Sequence, residues 1–212
     1  ETVYYFNKKQ HISKTNIDNK IQFNINDVYD EVLIITDRNV YNHQVDDLIN
    51  SIKGKLIYEY IVPAGEDSKS LEIYEQIMNY CIKIGLSRKS VIIAVGGGVV
   101  GDLGGYIAST YMRGIDVIQV PTSLLAQVDS SIGGKTGINL SKFKNIIGSF
   151  YQPKFTYINI NSLRTLPQNE FISGMAEVIK YSVLYDYDFL DYLIENSEAV
   201  LNRDNKCLYY IV

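Results

Sequence analysis

The chain has 212 residues, with 46% hydrophobic and 21% charged side chains and a formal net charge of −4. That length is enough for one large domain or two smaller ones with a real apolar core, and the mildly acidic balance argues against a nucleic-acid or membrane-surface binder. No apolar run approaches the roughly 18 residues that a membrane-spanning helix needs, and the opening ETVYYFNKKQ has no signal-peptide core.

Taken in order, Val3–Phe6 and Lys20–Ile25 alternate loosely and predict an N-terminal hairpin. Val32–Thr36 is a continuous apolar run, as expected of a strand covered on both faces. It ends in Asp37-Arg38-Asn39, and a helix follows with Val45, Leu48, Ile49 and Ile52 on one face. Leu56–Val62 is the next strand, with a loop from Pro63 to Ser70 after it. The helix beyond turns Leu71, Tyr74, Ile77, Met78 and Cys81 inward and has Gly85 near its C-terminal end. Val91–Val95 is a strand that runs into Gly96-Gly97-Gly98 and a helix of small residues. Val117–Val120 is another strand, then comes a polar, glycine-spaced segment, then a last strand, Phe155–Ile160. Strands separated by helical patterns predict an α/β fold, a Rossmann-like parallel sheet wrapped by helices.

From Asn161 the pattern changes. Thr165, with Gln168 three positions on, reads as the N-cap of a helix. Residues 170–212 read as helices, with Phe189, Leu190, Leu193 and Ile194 at helical spacing. The chain is therefore expected to divide into an α/β domain, residues 1–160, and the start of an α-helical domain, residues 161–212. The apolar end, Cys207 to Val212, has no cap or polar tail, so the second domain is expected to be cut short. Glu1 is not a Met, so the natural start need not lie there.

Gly96-Gly97-Gly98-Val99-Val100-Gly101 fits G-x-G-x-x-G, after a strand and before a helix, as dinucleotide binding requires. Clustered glycines let backbone N–H groups approach a ligand that side chains would block. The acidic residue that grips a ribose usually ends the next strand, but that place holds Pro121-Thr122-Ser123. The acid ends an earlier strand instead, at Asp37. A bound dinucleotide would then lay its adenosine half toward Asp37 and its pyrophosphate on the glycines. The plainer reading is a tight strand–helix turn without a ligand.

Gly133-Gly134-Lys135-Thr136 resembles the tail of a P-loop, but the required glycine is replaced by Asp129, which excludes that reading. What remains is a lysine on flexible backbone near Asp129, suited to a phosphate or carboxylate, or else a surface loop. Glu177, Lys180 and Tyr181 share a helix face at i, i+3 and i+4. Such a carboxylate–ammonium pair serves acid–base work or metal binding, or is a surface ion pair. Glu66 and Lys69 before a helix also fit as capping and dipole charges. Cys81 and Cys207 suit a reducing cytoplasm and give no metal-cluster spacing. His11 and His43 lie in polar segments and read as surface residues.

Together GEDSKS, GGGVVGDLGGYIASTYMRG, QVPTSLLAQVDSSIGGKTGIN, KNIIGSFYQP and LRTLP…SGMAEVIKY resemble 3-dehydroquinate synthase, in order and nearly ungapped from residue 30 to residue 185. The resemblance implies an NAD- and metal-dependent lyase of the shikimate route. Such an enzyme turns 3-deoxy-D-arabino-heptulosonate 7-phosphate into 3-dehydroquinate and phosphate. Its implied chemistry is transient oxidation of a ring hydroxyl, β-elimination of phosphate, return of the same hydride, ring opening and internal aldol closure. Carried over by position, it assigns Asp37, Asn39, Glu66 and Lys69 to the adenosine side of NAD. Gly97, Gly98, Val99, Val100, Gly101 and Asp102 would meet the pyrophosphate and nicotinamide. Thr122, Ser123, Leu125, Lys135, Lys144 and the segment Ser162, Leu163, Arg164, Thr165 and Leu166 would complete the cofactor cleft. Ser123 stands where many relatives have a second threonine. Asp129, Lys135, Asn145 and Lys180 would meet substrate, and Asp129, Lys180 and Glu177 would carry the catalysis. Arg113 would reach a neighbouring subunit's phosphate site, which implies a homodimer. Glu177 would be one of three ligands to a divalent zinc or cobalt ion.

The family's other two metal ligands are histidines from a segment beyond Val212, and neither His11 nor His43 replaces them by position. The 212-residue chain is therefore expected to bind NAD weakly at best and not to turn over. Three other readings compete. A related sugar phosphate cyclase, such as 2-deoxy-scyllo-inosose synthase, shares most of these motifs. A metal-dependent polyol dehydrogenase shares the glycine turn but would release NADH. A non-catalytic NAD-binding module would need no metal.

Overall fold

The computed structural model describes residues 2–6, 12–18, 29–52 and 55–212. Strand β1 (Thr2–Phe6) pairs antiparallel with β2 (Ile12–Asp18). The expected second arm of the hairpin, Lys20–Ile25, lies outside the described residues. Strand β3 (Glu31–Asp37) leads into a short α1 (Arg38–Val40), a π-helical turn (Tyr41–Val45) and α2 (Asp46–Ser51). Strand β4 (Leu56–Val62), a 3-10 turn (Glu66–Ser68) and α3 (Leu71–Lys83) follow. Next come β5 (Val91–Gly96), α4 (Gly98–Thr110), β6 (Asp116–Pro121) and a π-helical turn (Ala126–Ser130). A hairpin of β7 (Lys135–Leu140) and β8 (Phe143–Phe150) precedes β9 (Phe155–Asn159). After a 3-10 turn (Ile160–Arg164) the chain is helical: α5 (Gln168–Tyr185), α6 (Tyr187–Glu195), α7 (Ser197–Leu201) and α8 (Asn205–Ile211).

The main sheet has the order β1-β2-β9-β6-β5-β3-β4, parallel throughout except for β1. Both faces of its centre are covered, which is why β3 and β5 are unbroken apolar runs. Leu33, Ile35, Ile92 and Ala94 point to one face and pack with Ile77, Cys81, Leu103 and Ile107 of α3 and α4. Val32, Ile34, Ile93 and Val95 point to the other and meet Val45 and Leu48. A third apolar cluster joins Leu124 and Leu163 to Phe171, Val178, Leu193, Val200 and Leu208 of the C-terminal helices.

Two local expectations are corrected. Leu71, expected to face inward, is exposed. As the first residue of α3 it lines a small cavity with Glu66 and Leu140. Thr165 does not cap α5: Pro167 holds that position, and Thr165 ends the preceding 3-10 turn, its Oγ1 donating to the Ser162 carbonyl at 3.2 Å. The extended backbone at Pro167 postpones the helix by two residues. The polar, glycine-spaced segment forms the β7–β8 hairpin. Its strands approach so closely that a Cβ on Gly137 would lie 2.7 Å from the Ile147 carbonyl oxygen. Glycine is needed there for backbone contact and erases the alternation by which a strand is read.

Candidate functional site

The strand order creates a crevice. β3 has β4 on one side and β5 on the other, so successive crossovers leave in opposite directions, and the ends of the strands part where they do so. Gly96 ends β5 there, and the register that pairs Thr36 with Val95 brings Asp37, at the end of β3, alongside it. The acid that precedes the glycines in sequence is thus their neighbour in space. Its Oδ1 accepts from the N–H groups of Asn39 at 2.8 Å and Val40 at 3.1 Å, which caps α1 and fixes the carboxylate at the crevice edge.

On the glycine side, Gly97 occupies the N-cap of α4 and no side chain caps it. The first N–H groups of a 13-residue helix therefore end at the crevice, where an anion would complement them and the helix dipole. Ser130 abuts this turn: its Oγ is buried without a hydrogen-bond partner and lies 3.0 Å from where a Cβ on Gly98 would stand. Val100 is turned into the core, so only its backbone faces the crevice. Two further glycines let α4 pack tightly. A Cβ on Gly104 would be 2.9 Å from the Ala94 Cβ, and one on Gly105 would be 2.4 Å from the Thr136 Cγ2. The Thr122 N–H donates to the Gly96 carbonyl at 3.0 Å, tying the neighbouring strand end to the same turn, and Ser123 Oγ accepts from the Ala126 N–H at 3.3 Å. Leu125 is partly exposed behind it.

A buried ion pair flanks the turn. Lys69 is only 3% exposed, and its Nζ donates to Asp102 Oδ2 at 2.5 Å and to Asn145 Oδ1. Burial pushes the Asp102 carboxyl above the ordinary carboxylate range, against the opposing hydrogen bond and charge of Lys69. Glu66 accepts from Asn139 Nδ2 at 2.8 Å and lies 4.0 Å from the exposed Lys144.

The open end is closed by α5. Tyr181 donates its hydroxyl to Asp129 Oδ1 at 2.9 Å, joining a helix to a turn 52 positions away in sequence. Burial, then the hydrogen bond and charge of Asp129, raise the Tyr181 phenol far above its usual value. Glu177 and Lys180 are in hydrogen-bonded contact on the same face. The bond from Lys180 holds the Glu177 carboxyl below its ordinary range, and the same bond raises Lys180. The Lys180 ammonium stands 4.7 Å from the Tyr181 ring centroid. Sequence spacing placed Tyr181 on this face but gave it no role, because its partner lies on another element.

Other proposed residues sit differently. Lys135, at the start of β7, is exposed, as is Asn39. Arg113 lies beyond the far end of α4, about 20 Å from the glycine turn at 1.5 Å of rise per residue. Ser162 and Leu163 are buried: Ser162 Oγ binds the Asn159 carbonyl at 2.7 Å and accepts from Gln127 at 3.0 Å. Arg164 reaches Asn205 at 3.1 Å, and Leu166 packs against the third cluster. The Arg164 and Thr165 side chains are exposed, whereas the Leu163 and Arg164 carbonyls accept from Arg203 at 2.6 and 3.1 Å.

An uncapped helix start over glycines, an orphaned hydroxyl beside it and a carboxylate on the adjacent strand fit a dinucleotide. A metal fits less well. Among the described residues no three His, Cys, Asp or Glu side chains converge, so Glu177 alone does not make a metal site. His43 stands on the π-helical turn after β3, and His11 lies outside the described residues. Among the described residues no helix is long and apolar enough to cross a membrane.

Comparison with known proteins supplies the rest. A family model for the 3-dehydroquinate synthase N-terminal region matches residues 59–173. The chain is 51% identical over 167 residues to a 3-dehydroquinate synthase from Alkaliphilus metalliredigens, covering 79% of this chain and 47% of that protein. The chain spans about half the length of the curated relatives it matches. Among solved structures, it is similar to a 2-deoxy-scyllo-inosose synthase complexed with carbaglucose-6-phosphate, NAD+ and Co2+. The TM-score is 0.79 and the identity 27%, over 85% of this chain and 51% of that one. The fold also matches a 2-epi-5-epi-valiolone synthase from Streptomyces hygroscopicus with NAD+ and Zn2+ bound, at TM-score 0.87 and 24% identity over 98% of this chain and 60% of that one.

Proposed function

The chain belongs to the 3-dehydroquinate synthase family, and from that membership we propose that it is the NAD-binding part of an enzyme converting 3-deoxy-D-arabino-heptulosonate 7-phosphate to 3-dehydroquinate and phosphate. The observation that carries the reading is the meeting of Asp37 and the Gly97–Gly98 turn at one crevice, with Asp129, Tyr181, Glu177 and Lys180 linked at its open end. We read residues 1–160 as the cofactor domain and residues 161–212 as part of a helical domain; the change from alternating strands and helices to consecutive helices after Asn159 supports that division.

In this reading Asp37 and Asn39 face the adenosine ribose, with Glu66 and Lys69 nearby. The N–H groups from Gly97 to Gly101 hold the pyrophosphate, and Asp102 stands by the nicotinamide. Bound NAD supplies reversible hydride acceptance. The chain's own residues supply positioning and charge. Asp129, oriented by the Tyr181 hydroxyl, accepts a hydrogen bond from a substrate hydroxyl. Lys135 and Lys180 bring positive charge to the phosphate, and Asn145 adds a neutral contact. Arg113, remote from this chain's own crevice, would serve a second copy in a cytoplasmic homodimer. Glu177 would be one ligand of a divalent metal, zinc or cobalt; the described residues do not complete that site, and no step is assigned to it.

Titrating NAD+ into the 212-residue chain, then assaying phosphate release and NADH absorbance, tests the reading. Weak but saturable NAD+ binding is expected, with no phosphate release from the heptulosonate phosphate or from glucose 6-phosphate. A longer protein carrying the remaining metal ligands should release phosphate from the heptulosonate without net NADH. Failure to bind NAD+ overturns the cofactor assignment. Net NADH formation overturns the cyclase reading in favour of a dehydrogenase. Phosphate release by the 212-residue chain itself refutes its proposed inactivity.

A further inference from the structure

Asn139 sits at the irregularity in the β7–β8 register, between Ile138 and Leu140, where a bulge re-aims a side chain. Three bonds converge on it. Its N–H donates to the Lys69 carbonyl at 2.7 Å, its Nδ2 donates to Glu66 Oε1 at 2.8 Å, and its Oδ1 accepts from the Asn145 N–H at 2.8 Å. Asn145 is held at φ +54°, a left-handed conformation uncommon for a residue other than glycine. From there its Oδ1 meets the Lys69 ammonium, which also pairs with Asp102.

We infer that Asn139 is a positioning residue that fixes Glu66, Lys69 and Asn145 relative to one another, and so joins the cofactor side of the crevice to its substrate side. Only an amide does this in place. It offers one donor to the Glu66 carboxylate and one acceptor to the Asn145 N–H, whereas a carboxylate has no donor for Glu66 and an alkyl group has neither. The functional half of this inference rests on the proposed NAD site; the structural half does not.

Backbone hydrogen exchange and NAD+ titration on the 212-residue chain test both halves. In Asn139→Ala, the amides of Asn145 and of residues 66–69 should exchange about tenfold faster or more, with the central strands unchanged. NAD+ affinity should fall by about tenfold or more, as for a lost bond to a charged group. Asn139→Asp, which keeps the side-chain volume and the acceptor, should leave the Asn145 amide protected while NAD+ affinity still falls, because two carboxylates then face each other. Unchanged exchange at Asn145 in Asn139→Ala overturns the positioning role. Altered exchange with unchanged affinity in both variants reduces Asn139 to a structural residue and overturns the link to the site. If the unaltered chain binds no NAD+, the cofactor reading fails on its own, and the exchange data still decide what Asn139 holds.

Discussion

Replacing Lys69 by Met removes the ammonium and keeps the apolar stem, so packing is nearly conserved. The ammonium serves Asp102 at 2.5 Å and also Asn145, with side-chain exposures of 4% for Lys69 and 19% for Asp102. Breaking a fully buried pair costs about 3–5 kcal/mol and an exposed one at most about 1. This pair lies near the buried limit, but Asp102 has water on one side and can take up a proton. The expected loss is about 2–3 kcal/mol near pH 7.5, which lowers the melting temperature by about 4–12 °C in a chain of this size. The pH dependence follows from Asp102, whose carboxyl burial already raises above its ordinary value. An acid raised on folding contributes stability that is fully present below its unfolded pKa, about 3.9, and lost as pH rises through the folded value. Without Lys69 that folded value rises further, so the variant loses more than the parent between mildly acidic and neutral pH. Thermal melts of Lys69→Met and parent at pH 4.5 and 7.5 should therefore show the larger gap at pH 7.5. Equal gaps at both values would refute the claim that an ionised, partly desolvated Asp102 depends on Lys69.

Other perturbations probe separate joints. Gly105→Ala sets a Cβ 2.4 Å from the Thr136 Cγ2, so α4 and β7 must part; urea unfolding should show a loss of about 1–3 kcal/mol. An unchanged midpoint would mean the hairpin moves freely. A double-mutant cycle of Tyr181→Phe and Asp129→Ala should give a coupling of about 1 kcal/mol, and no coupling would remove the link between α5 and the Asp129 turn. Cys81 is buried with its thiol pushed up to about 12, so thiol reagents at pH 8 should label it only after denaturation. Rapid labelling of the native chain at Cys81 would contradict that burial.

The family motifs point to the right family because they are local in sequence and specific in order. The residues with unassigned or doubtful roles are those whose partners are distant. Tyr181 gains its hydrogen bond from Asp129, 52 positions away, and Asn139 connects to Glu66, 73 positions away. Neither pairing leaves a periodic signal. The segment around Ser162 and Leu163 shows the opposite: the resemblance assigns these residues by position, but Ser162 Oγ is buried and hydrogen-bonded within the fold and Leu163 packs in the third apolar cluster.

By itself the sequence determined the parallel α/β layout, since two-sided burial makes apolar runs of Val32–Ile35 and Val91–Val95 whatever the strand order. It also determined the glycine turn, because the absence of a Cβ is a property of single residues. Tertiary structure alone decided which strand stands beside which. Placing β3 next to β5 brings Asp37 to the glycines that follow it by some sixty positions, although the expected acid is missing from the strand after them. It also decided that a glycine-spaced polar segment is a hairpin, because there the signal is two backbones in contact rather than any side-chain pattern.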